Sequence, residues 1–536
     1  MPNEKGAVMQ KKTRQRASKV DYRLLYKRRV MDFLTVLKDK DYTTWQMDES
    51  MKKLFLMSDQ VIPVCLAKLR ENDEEFTPIA CYALEYANDY TLVEPLMHIL
   101  IMPGVSDKIK ARILGVLSHY GVDASELPLD IIMEDFDKMA SDSLVEMLSD
   151  VERDYFTIPY VLDDMTGFTT DMKIAYVKDI GQQRDERSLY LLEIIATIDD
   201  PPVAQEAVKA LGKIKSGKAL YSLNKLEGIT ADEELKKLIG REAQRLKFSG
   251  IPVEVHSPPW AKLQKPVKIF VSSIDGLGSR ALWMAWKNPV KRARLGFMNL
   301  LLNTDTGVKD CWGVSQISTR EFNSSVKDFS KTATVAECDS DYAAALIGDA
   351  LLCNAREGYE IPYQFYFWKS LLRQSLRITP HTYKPAFEGF DLEALAQSEE
   401  HLKKTFDLFD YRFFNDWFIA EPRVYDYADE NKSKRGFVLK KMTQQKAEKL
   451  FSKFTQELIE PFADTMKRML ELSADFLCLI GDQEAAEIAI SAFIHMDVRP
   501  LHYHPFVQRM VLESLKIALS NMKNGFDMRV DPDAFI

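Results

Sequence analysis

Hydrophobic positions recur at helical spacing along the first half of the chain, in short runs that turn residues interrupt roughly every 10 to 16 positions. Five of these runs superimpose, with matching positions at Ala83, Ile113, Leu144, Tyr176 and Ala207. The intervals between these positions are 30, 31, 32 and 31 residues. So regular a spacing predicts tandem helical hairpins, because one helix pair cannot bury its apolar face alone and stacks against its neighbours.

The clearest of these units begins at Pro201 and ends near residue 228. Pro202 is placed in the first turn of a helix, where its missing N–H costs nothing. Residues 215–217 form the predicted turn. The apolar positions that should be buried in the two helices are Ala204, Ala207, Val208, Leu211, Leu220, Leu223 and Leu226.

The stretch AVKALGKIKSGKALYSL within this unit resembles HEAT repeats, particularly the short class found in bilin lyases of cyanobacterial antennae. The resemblance covers about 200 residues and implies a binding scaffold more often than an enzyme. Some members of the class are hydroxylases, which rely on His-Glu pairs that bind a metal. In this array neither His98 nor His119 is followed by Glu, which argues against a metal hydroxylase.

From about residue 267 the pattern changes to β-rich runs at 267–273, 281–286, 295–303 and 308–313, which turn signals separate. Connections this short favour antiparallel neighbours. A capping box formed by Ser318 and Glu321 predicts a helix over 319–329, followed by a strand over 332–337 and a helix over 340–356. The unit is therefore expected to be α+β, with helices covering an antiparallel sheet.

The rest of the sequence after residue 356 is predicted to be mostly helical. Phe406, Phe409, Phe413 and Trp417 recur at helical spacing and are expected in the core. Residues 424–427 and 437–440 flank a polar turn and suggest a small hairpin. Three helices over 443–475, 482–496 and 504–523 should close the domain, with Pro461 kinking or dividing the first.

The predicted fold is mainly α: an N-terminal α-solenoid of HEAT-like hairpins, followed by a helix-rich α+β domain with an antiparallel sheet. The expected divisions are a basic arm with a leading helix over 1–44, the solenoid over 45–248, a proline-containing linker over 249–266 and the second domain over 267–536.

Composition narrows the class of protein. Hydrophobic residues make up 46% and charged residues 28%, which excludes a largely disordered chain. The six cysteines are scattered without a CxxC pair, as expected of reduced thiols in the cytoplasm. The sequence shows neither the apolar stretch of a signal peptide nor a run of about 20 apolar residues, so no membrane insertion is expected.

The formal net charge of −9 is unevenly distributed. Residues 1–30 carry ten Lys or Arg against two acidic residues, a local charge of +8, which leaves −17 for the rest. Because nucleic acid is negatively charged, the acidic charge of residues 31–536 disfavours a broad nucleic-acid-binding surface on that part of the chain. Nucleic acid is therefore expected, if at all, only through the basic arm.

The most specific candidate for a ligand-binding site is a loop between two predicted strands, formed by Asp275, Gly276, Gly278, Ser279 and Arg280. Its glycine amides could approach a phosphate while the arginine supplies positive charge. The pattern lacks the third glycine and following helix of a dinucleotide site and the Gly-Lys-Ser/Thr of a P-loop. A structural hairpin turn is the alternative.

A second candidate is the group of His495, His502 and His504 near the C-terminus. Three imidazoles within ten residues could hold a metal ion such as zinc if they converge. The alternative is a loop in which the ring nitrogens bond to nearby groups. No cofactor is predicted.

The function expected from these patterns is that of a protein-interaction scaffold or adaptor, with protein partners on the solenoid surface. Two alternatives stay open. One is an enzyme acting on a phosphate-containing substrate through the loop Asp275–Arg280, and the other is nucleic-acid association through the basic arm.

Overall fold

A computed structural model describes residues 22–38, 44–123, 126–257, 266–288, 294–372, 376–434, 436–498 and 500–530. These residues form a mainly α-helical protein with an antiparallel sheet in the C-terminal half, which confirms the predicted fold class. The chain divides into two compact units, one up to Glu146 and the other from Met147 onwards. The first 21 residues, which carry most of the basic arm, lie outside the described part.

In the described residues up to Phe248, helices follow one another without strands. They are α1 (Tyr22–Lys38), α2 (Thr44–Met57), α3 (Val61–Arg70), α4 (Thr77–Ala87), α5 (Val93–Leu100), α6 (Asp107–His119), α7 (Leu129–Ile132), α8 (Phe136–Arg153), α9 (Ile158–Thr166), α10 (Thr170–Gln183), α11 (Leu189–Ile195), α12 (Pro201–Lys213), α13 (Gly217–Glu227) and α14 (Glu233–Phe248).

The five matched positions of the repeat all lie on helices that are followed by a shorter partner helix. Ala83 lies on α4, Ile113 on α6, Leu144 on α8, Tyr176 on α10 and Ala207 on α12. Three of them, on α4, α6 and α12, are fully buried. All five positions of the predicted period thus lie on α-helices.

The unit α12–α13 follows the predicted pattern closely. Pro201 and Pro202 occupy the first turn of α12, and Ser216 caps α13 by accepting a hydrogen bond from the amide of Ala219 at 3.2 Å. All the apolar positions predicted to face inward are buried.

Four long strands follow, namely β1 (Lys268–Ser272), β2 (Ser279–Lys287), β3 (Arg294–Asn303) and β4 (Gly307–Ser318). The capping box of Ser318 and Glu321 is present and starts α15 (Thr319–Phe329). After β5 (Val335–Glu337), the sheet is complete in the order β4-β3-β2-β1-β5, and each pair of neighbours is antiparallel. The predicted strands and their antiparallel pairing are confirmed.

The rest of the chain is mostly helical. Its elements are α16 (Ser340–Glu357), α17 (Tyr363–Leu372), α18 (Leu392–Gln397), α19 (Glu399–Lys404), α20 (Pro422–Asn431), β6 (Lys432–Ser433), β7 (Gly436–Leu439), α21 (Gln444–Leu458), α22 (Ala463–Ile480), α23 (Gln483–His495) and α24 (Pro505–Lys523). Pro461 lies in a short 3₁₀ turn between α21 and α22 and divides the predicted helix, as expected.

The aromatic stripe is core, but it is not one continuous helix. It forms two 3₁₀ segments, Thr405–Asp410 and Arg412–Phe414, which the extended backbone of Tyr411 separates. This break changes which side chains face inward. Phe409, Phe414 and Trp417 are buried, whereas Phe406 and Phe413 are only partly buried.

The prediction of a strand over 424–427 is wrong, because these residues lie within α20. Pro422 starts this helix, and Val424, Tyr425, Tyr427 and Ala428 form its buried face at helical spacing. A small hairpin does follow, between β6 and β7, and its second strand is the predicted one.

The division into compact units does not coincide with the predicted linker over 249–266 but falls within α8. In the second unit, α17 joins the helical hairpins to the sheet domain. The hydroxyl of Tyr363 donates to Asp200 at 2.8 Å, the amide of Asp199 donates to the hydroxyl of Tyr366 at 2.9 Å, and Gln364 donates to Asp163. Helices α9 to α14 therefore belong to the same compact unit as the sheet.

Candidate functional site

A stretch of chain without regular secondary structure lies against the helical hairpins of the second unit. We call residues 250–257 the linker segment; it leaves the end of α14 and belongs to the predicted linker. The amide of Glu254 donates to the carbonyl of Gly217 at 3.1 Å. The segment thus contacts the start of α13 through its backbone.

Gly217 permits this close approach. A Cβ at this position would lie 2.4 Å from the carbonyl oxygen of Pro252 and 2.8 Å from the amide nitrogen of Glu254. Both distances are shorter than atoms can approach without the backbone moving. The sequence placed Gly217 in a turn, whereas the structure shows that its missing side chain makes room for the linker segment.

The side chain of His256 enters a pocket formed by Tyr155, Tyr190, Glu193, Tyr221 and Ser222, which we call the His256 pocket. Its Nδ1 lies 3.0 Å from the hydroxyl of Tyr190, and its Nε2 lies 2.9 Å from Oγ of Ser222 and 3.5 Å from Oε1 of Glu193. The side chain of His256 is 11% exposed, so both ring nitrogens are bound away from most of the solvent.

Tyrosine rings enclose the imidazole. The ring of Tyr190 lies 4.9 Å from the ring of His256 and that of Tyr221 lies 5.6 Å away, both measured between centroids. Tyr155 packs edge-on against Tyr190 at 5.0 Å. Aromatic faces with a carboxylate beside them suit a flat, polar or positively charged ring.

Glu193 is the charged group of the pocket and is 7% exposed. Its carboxylate accepts hydrogen bonds from Ser222 and from Nζ of Lys225, the latter at 2.6 Å. Burial acts to raise the pKa of Glu193, but hydrogen bonds from His256, Lys225 and Ser222 outweigh it and hold the pKa below its ordinary value. Glu193 is therefore ionised at neutral pH.

The pocket brings together a serine, a histidine and a glutamate, but not as a catalytic triad. In a triad one imidazole nitrogen faces the serine and the other faces the carboxylate. Here Nε2 of His256 faces both Ser222 and Glu193, while Nδ1 faces Tyr190. Ser222 is fully buried and donates its proton to Glu193. This arrangement can hold an imidazole but cannot activate the serine as a nucleophile.

The loop predicted to bind phosphate uses its amides within the turn. Oδ1 of Asp275 accepts from the amides of Leu277 at 3.0 Å and Ser279 at 2.8 Å, and the carbonyl of Asp275 accepts from the amide of Gly278 at 3.0 Å. Gly276 packs so closely on Asp416 that a Cβ would lie 1.9 Å from its carbonyl oxygen. Phosphate binding by this loop stays a prediction, and its amides would first have to exchange these partners.

Arg280 points away from these amides. It is 4% exposed, Nη2 donates to the carbonyl of Leu472 at 3.3 Å, and the guanidinium lies 6.0 Å from the ring centroid of Phe476. Its positive charge also acts to lower the pKa of Asp475, against the larger effect of burial. Nε and Nη1 of Arg280 have no hydrogen-bond partner within the described part of the chain.

Both ring nitrogens of His504 take part in helix contacts. Nε2 lies 3.1 Å from the carbonyl oxygen of Ala492, and Nδ1 accepts from the amide of Phe506 at 3.2 Å. The second contact caps α24. Burial lowers the pKa of His504 to about 4, so its imidazole is neutral at pH 7.

The other two candidate ligands make local contacts as well. Nδ1 of His495 lies 2.8 Å from the carbonyl of Ser491, and the ring of His502 packs against Tyr503 at 4.2 Å. Within the described ranges, no group of three or more His, Cys, Asp or Glu residues is arranged to hold a metal ion.

Sequence reasoning missed the His256 pocket. One signal was present: Glu193 is the single charged residue in the apolar run Leu189–Ile195, where a carboxylate must be buried with partners or not at all. The partners themselves lie 29 to 63 residues further along the chain, and no local pattern connects them.

No protein-family model matches the chain, and a search of the curated proteins finds no similar sequence. The likeness to HEAT repeats therefore stays a prediction. Among the residues that the structure describes, no helix combines the length and the apolar character needed to span a membrane.

Proposed function

We propose that the chain is a protein-interaction scaffold or adaptor that uses its helical hairpins as the binding surface. The observation that carries the proposal is the docked linker segment. The helices α11 and α13 hold a piece of extended chain through one backbone hydrogen bond and one buried side chain. Helices stacked in hairpins commonly present such surfaces to extended segments of other proteins.

Exposed apolar side chains on the second helices of the hairpins add support. Ile131 on α7 is 79% exposed, Tyr160 on α9 is 53% exposed, and Ile101, directly after α5, is 61% exposed. Exposed apolar groups of this size are available to a partner at no cost in folding.

The alternative of an enzyme acting on a phosphate-containing substrate has weaker support. The amides of Leu277, Gly278 and Ser279 already have partners within the turn, and the side chain of Arg280 is buried. Nucleic-acid association through the basic arm rests on sequence alone. For the scaffold we expect a cytoplasmic location, because all six cysteines are free thiols.

Site-specific cross-linking tests the scaffold proposal in the full chain. A photo-reactive amino acid replaces Ile101 or Ile131, and a matched control replaces Val438, which is 61% exposed on the hairpin of β6 and β7. We expect the same protein to be cross-linked from both hairpin positions and not from the control. Recovery of identical proteins from all three positions, or of none, would contradict the proposal.

A mutational test follows from the same surface. Replacing Ile101 and Ile131 together by Glu should abolish co-purification of the cross-linked protein while leaving the circular dichroism spectrum unchanged. Val438→Glu is the control and should leave co-purification intact. Unchanged co-purification of the double variant would show that the hairpins do not form the binding surface.

A further inference from the structure

The linker segment is held by one inserted side chain and by its backbone at Gly217, while most of its other side chains are exposed. His256 is inserted into its pocket, whereas Val253 and Val255 are 50% and 72% exposed. Glu254 adds one backbone hydrogen bond to Gly217 and approaches Lys218 at 3.9 Å. A segment with one buried side chain is bound in the manner of a short peptide ligand rather than as part of the core.

The His256 pocket offers hydrogen-bonding groups to both nitrogens of an imidazole. It offers the Tyr190 hydroxyl to one ring nitrogen, and Oγ of Ser222 with the Glu193 carboxylate to the other. The two polar positions face opposite edges of a ring that tyrosines enclose. A side chain without two ring nitrogens loses at least one of these hydrogen bonds.

We propose that the His256 pocket and Gly217 form a recognition site for an extended, histidine-containing segment of a partner protein, and that the linker segment is its intramolecular occupant. The inference deepens the scaffold function and rests on it. A partner segment would insert its histidine between Tyr190 and Glu193 and place its backbone against Gly217, in the place of Glu254. The linker segment would then be displaced.

The intramolecular occupant sets the affinity that a partner can show. A tethered segment competes at an effective concentration on the order of millimolar. A free peptide of the same chemistry therefore binds the wild-type chain with an apparent affinity reduced by the fraction of open pockets. Removing the histidine of the occupant should restore the intrinsic affinity.

The test uses a fluorescein-labelled peptide with the sequence of residues 250–257, GIPVEVHS, and the full-length chain. We expect His256→Ala to bind this peptide at least tenfold more tightly than wild type in fluorescence anisotropy titrations. A peptide with alanine in place of its histidine should bind neither protein. Adding Gly217→Ala to His256→Ala should remove binding, because the new Cβ blocks the peptide backbone.

Three results would each overturn the inference. The first is equal binding of the peptide to wild type and His256→Ala, and the second is equal binding of the histidine and alanine peptides. The third is absence of binding to a His256→Ala chain that keeps its circular dichroism spectrum. Peptide binding without any cross-linked protein partner would instead contradict the scaffold proposal alone.

The wild-type chain provides a second measurement if His256→Ala does not fold. An excess of the histidine peptide should accelerate hydrogen–deuterium exchange at the amide of Glu254, because the displaced linker segment loses its bond to Gly217. The alanine peptide should leave this exchange unchanged. Equal exchange with both peptides would show that the histidine does not compete for the pocket.

Discussion

The substitution Glu193→Gln isolates the charge at the centre of the His256 pocket. Glutamine keeps the size of the side chain, and its carbonyl oxygen can still accept the hydrogen bond from Ser222. Its amide group carries protons, however, so it cannot pair with Nζ of Lys225, which lies 2.6 Å from the Glu193 carboxylate. It also removes the negative charge that faces His256.

The expected loss follows from the burial of each partner. A hydrogen bond to a buried charge contributes about 1.5–3 kcal/mol, whereas a bond to a neutral acceptor contributes about 1 kcal/mol. The bond from Ser222 is therefore weakened rather than lost, and the contact with His256 loses its charge. The side chain of Lys225 is 41% exposed, so solvent screens its ion pair and its contribution is below about 1 kcal/mol. Glu193→Gln should therefore lower the free energy of unfolding of the second unit by about 2 kcal/mol at pH 7.

The loss should depend on pH with a definite sign. The pKa of Glu193 is lowered in the folded state, so its stabilising effect is present above the ordinary carboxyl value and disappears as the pH falls through the folded value. The difference between wild type and Glu193→Gln should thus be largest at neutral pH and should shrink as the pH is lowered below the ordinary carboxyl value.

Urea denaturation followed by tryptophan fluorescence measures this difference, because six of the seven tryptophans follow Met147. Glu400→Gln removes an exposed partner of Lys404 and serves as the control, with no change expected. A Glu193→Gln midpoint equal to that of wild type at pH 7 would contradict this prediction. So would a loss that does not shrink as the pH is lowered below the ordinary carboxyl value.

Three further predictions concern the linker segment, the hairpin turn and the histidines. Gly217→Ala should increase proteolysis within residues 250–257 and lower the free energy of unfolding by about 1–3 kcal/mol, because its Cβ would overlap the carbonyl of Pro252. Gly228→Ala is the control and should do neither, because the nearest atom to its Cβ would be 3.6 Å away. Burial raises the pKa of Asp275, so its charge disfavours the fold at neutral pH. Asp275→Asn keeps the acceptor oxygen and should leave the urea midpoint at pH 7 unchanged or raise it, and a marked decrease would contradict this prediction. Because the pKa of His504 is lowered to about 4, the free energy of unfolding should fall by roughly 3 kcal/mol as the pH falls from 6.5 to 4. His504→Asn should remove this pH dependence. Zinc should not raise the melting temperature of the wild-type chain.

The helices and strands could be predicted because local sequence specifies them. The run from Pro201 to Lys213 carries a proline start and an apolar face of helical period, and both are sufficient to define α12. The capping box of Ser318 and Glu321 likewise defines the start of α15 from four residues. Where local signals conflict, prediction failed. Residues 424–427 are rich in β-formers, but Pro422 and the helical spacing of the buried side chains produce α20.

The compact units could not be read from the linker, because their boundary depends on contacts between distant residues. Of the linker prolines at 252, 258 and 259, the structure describes only the first. Pro252 lies in chain without regular secondary structure, as predicted. The prolines say nothing about whether the flanking parts pack together. That depends on α17, whose Tyr363 and Tyr366 hydroxyls pair with Asp200 and Asp199 across more than 160 residues of sequence.

The His256 pocket shows the same limit at the level of chemistry. Ser222, Glu193 and His256 are separated along the chain by 29 and 34 residues, so no motif unites them, and their types alone would suggest a hydrolytic triad. Only the geometry decides between catalysis and recognition. One nitrogen of His256 faces both Ser222 and Glu193, and the other faces Tyr190. These groups therefore satisfy the hydrogen bonding of the imidazole and do not prepare it to act as a general base. A pocket that satisfies both nitrogens of an imidazole is suited to bind a histidine side chain. The pocket therefore supports recognition of a peptide rather than turnover of a substrate.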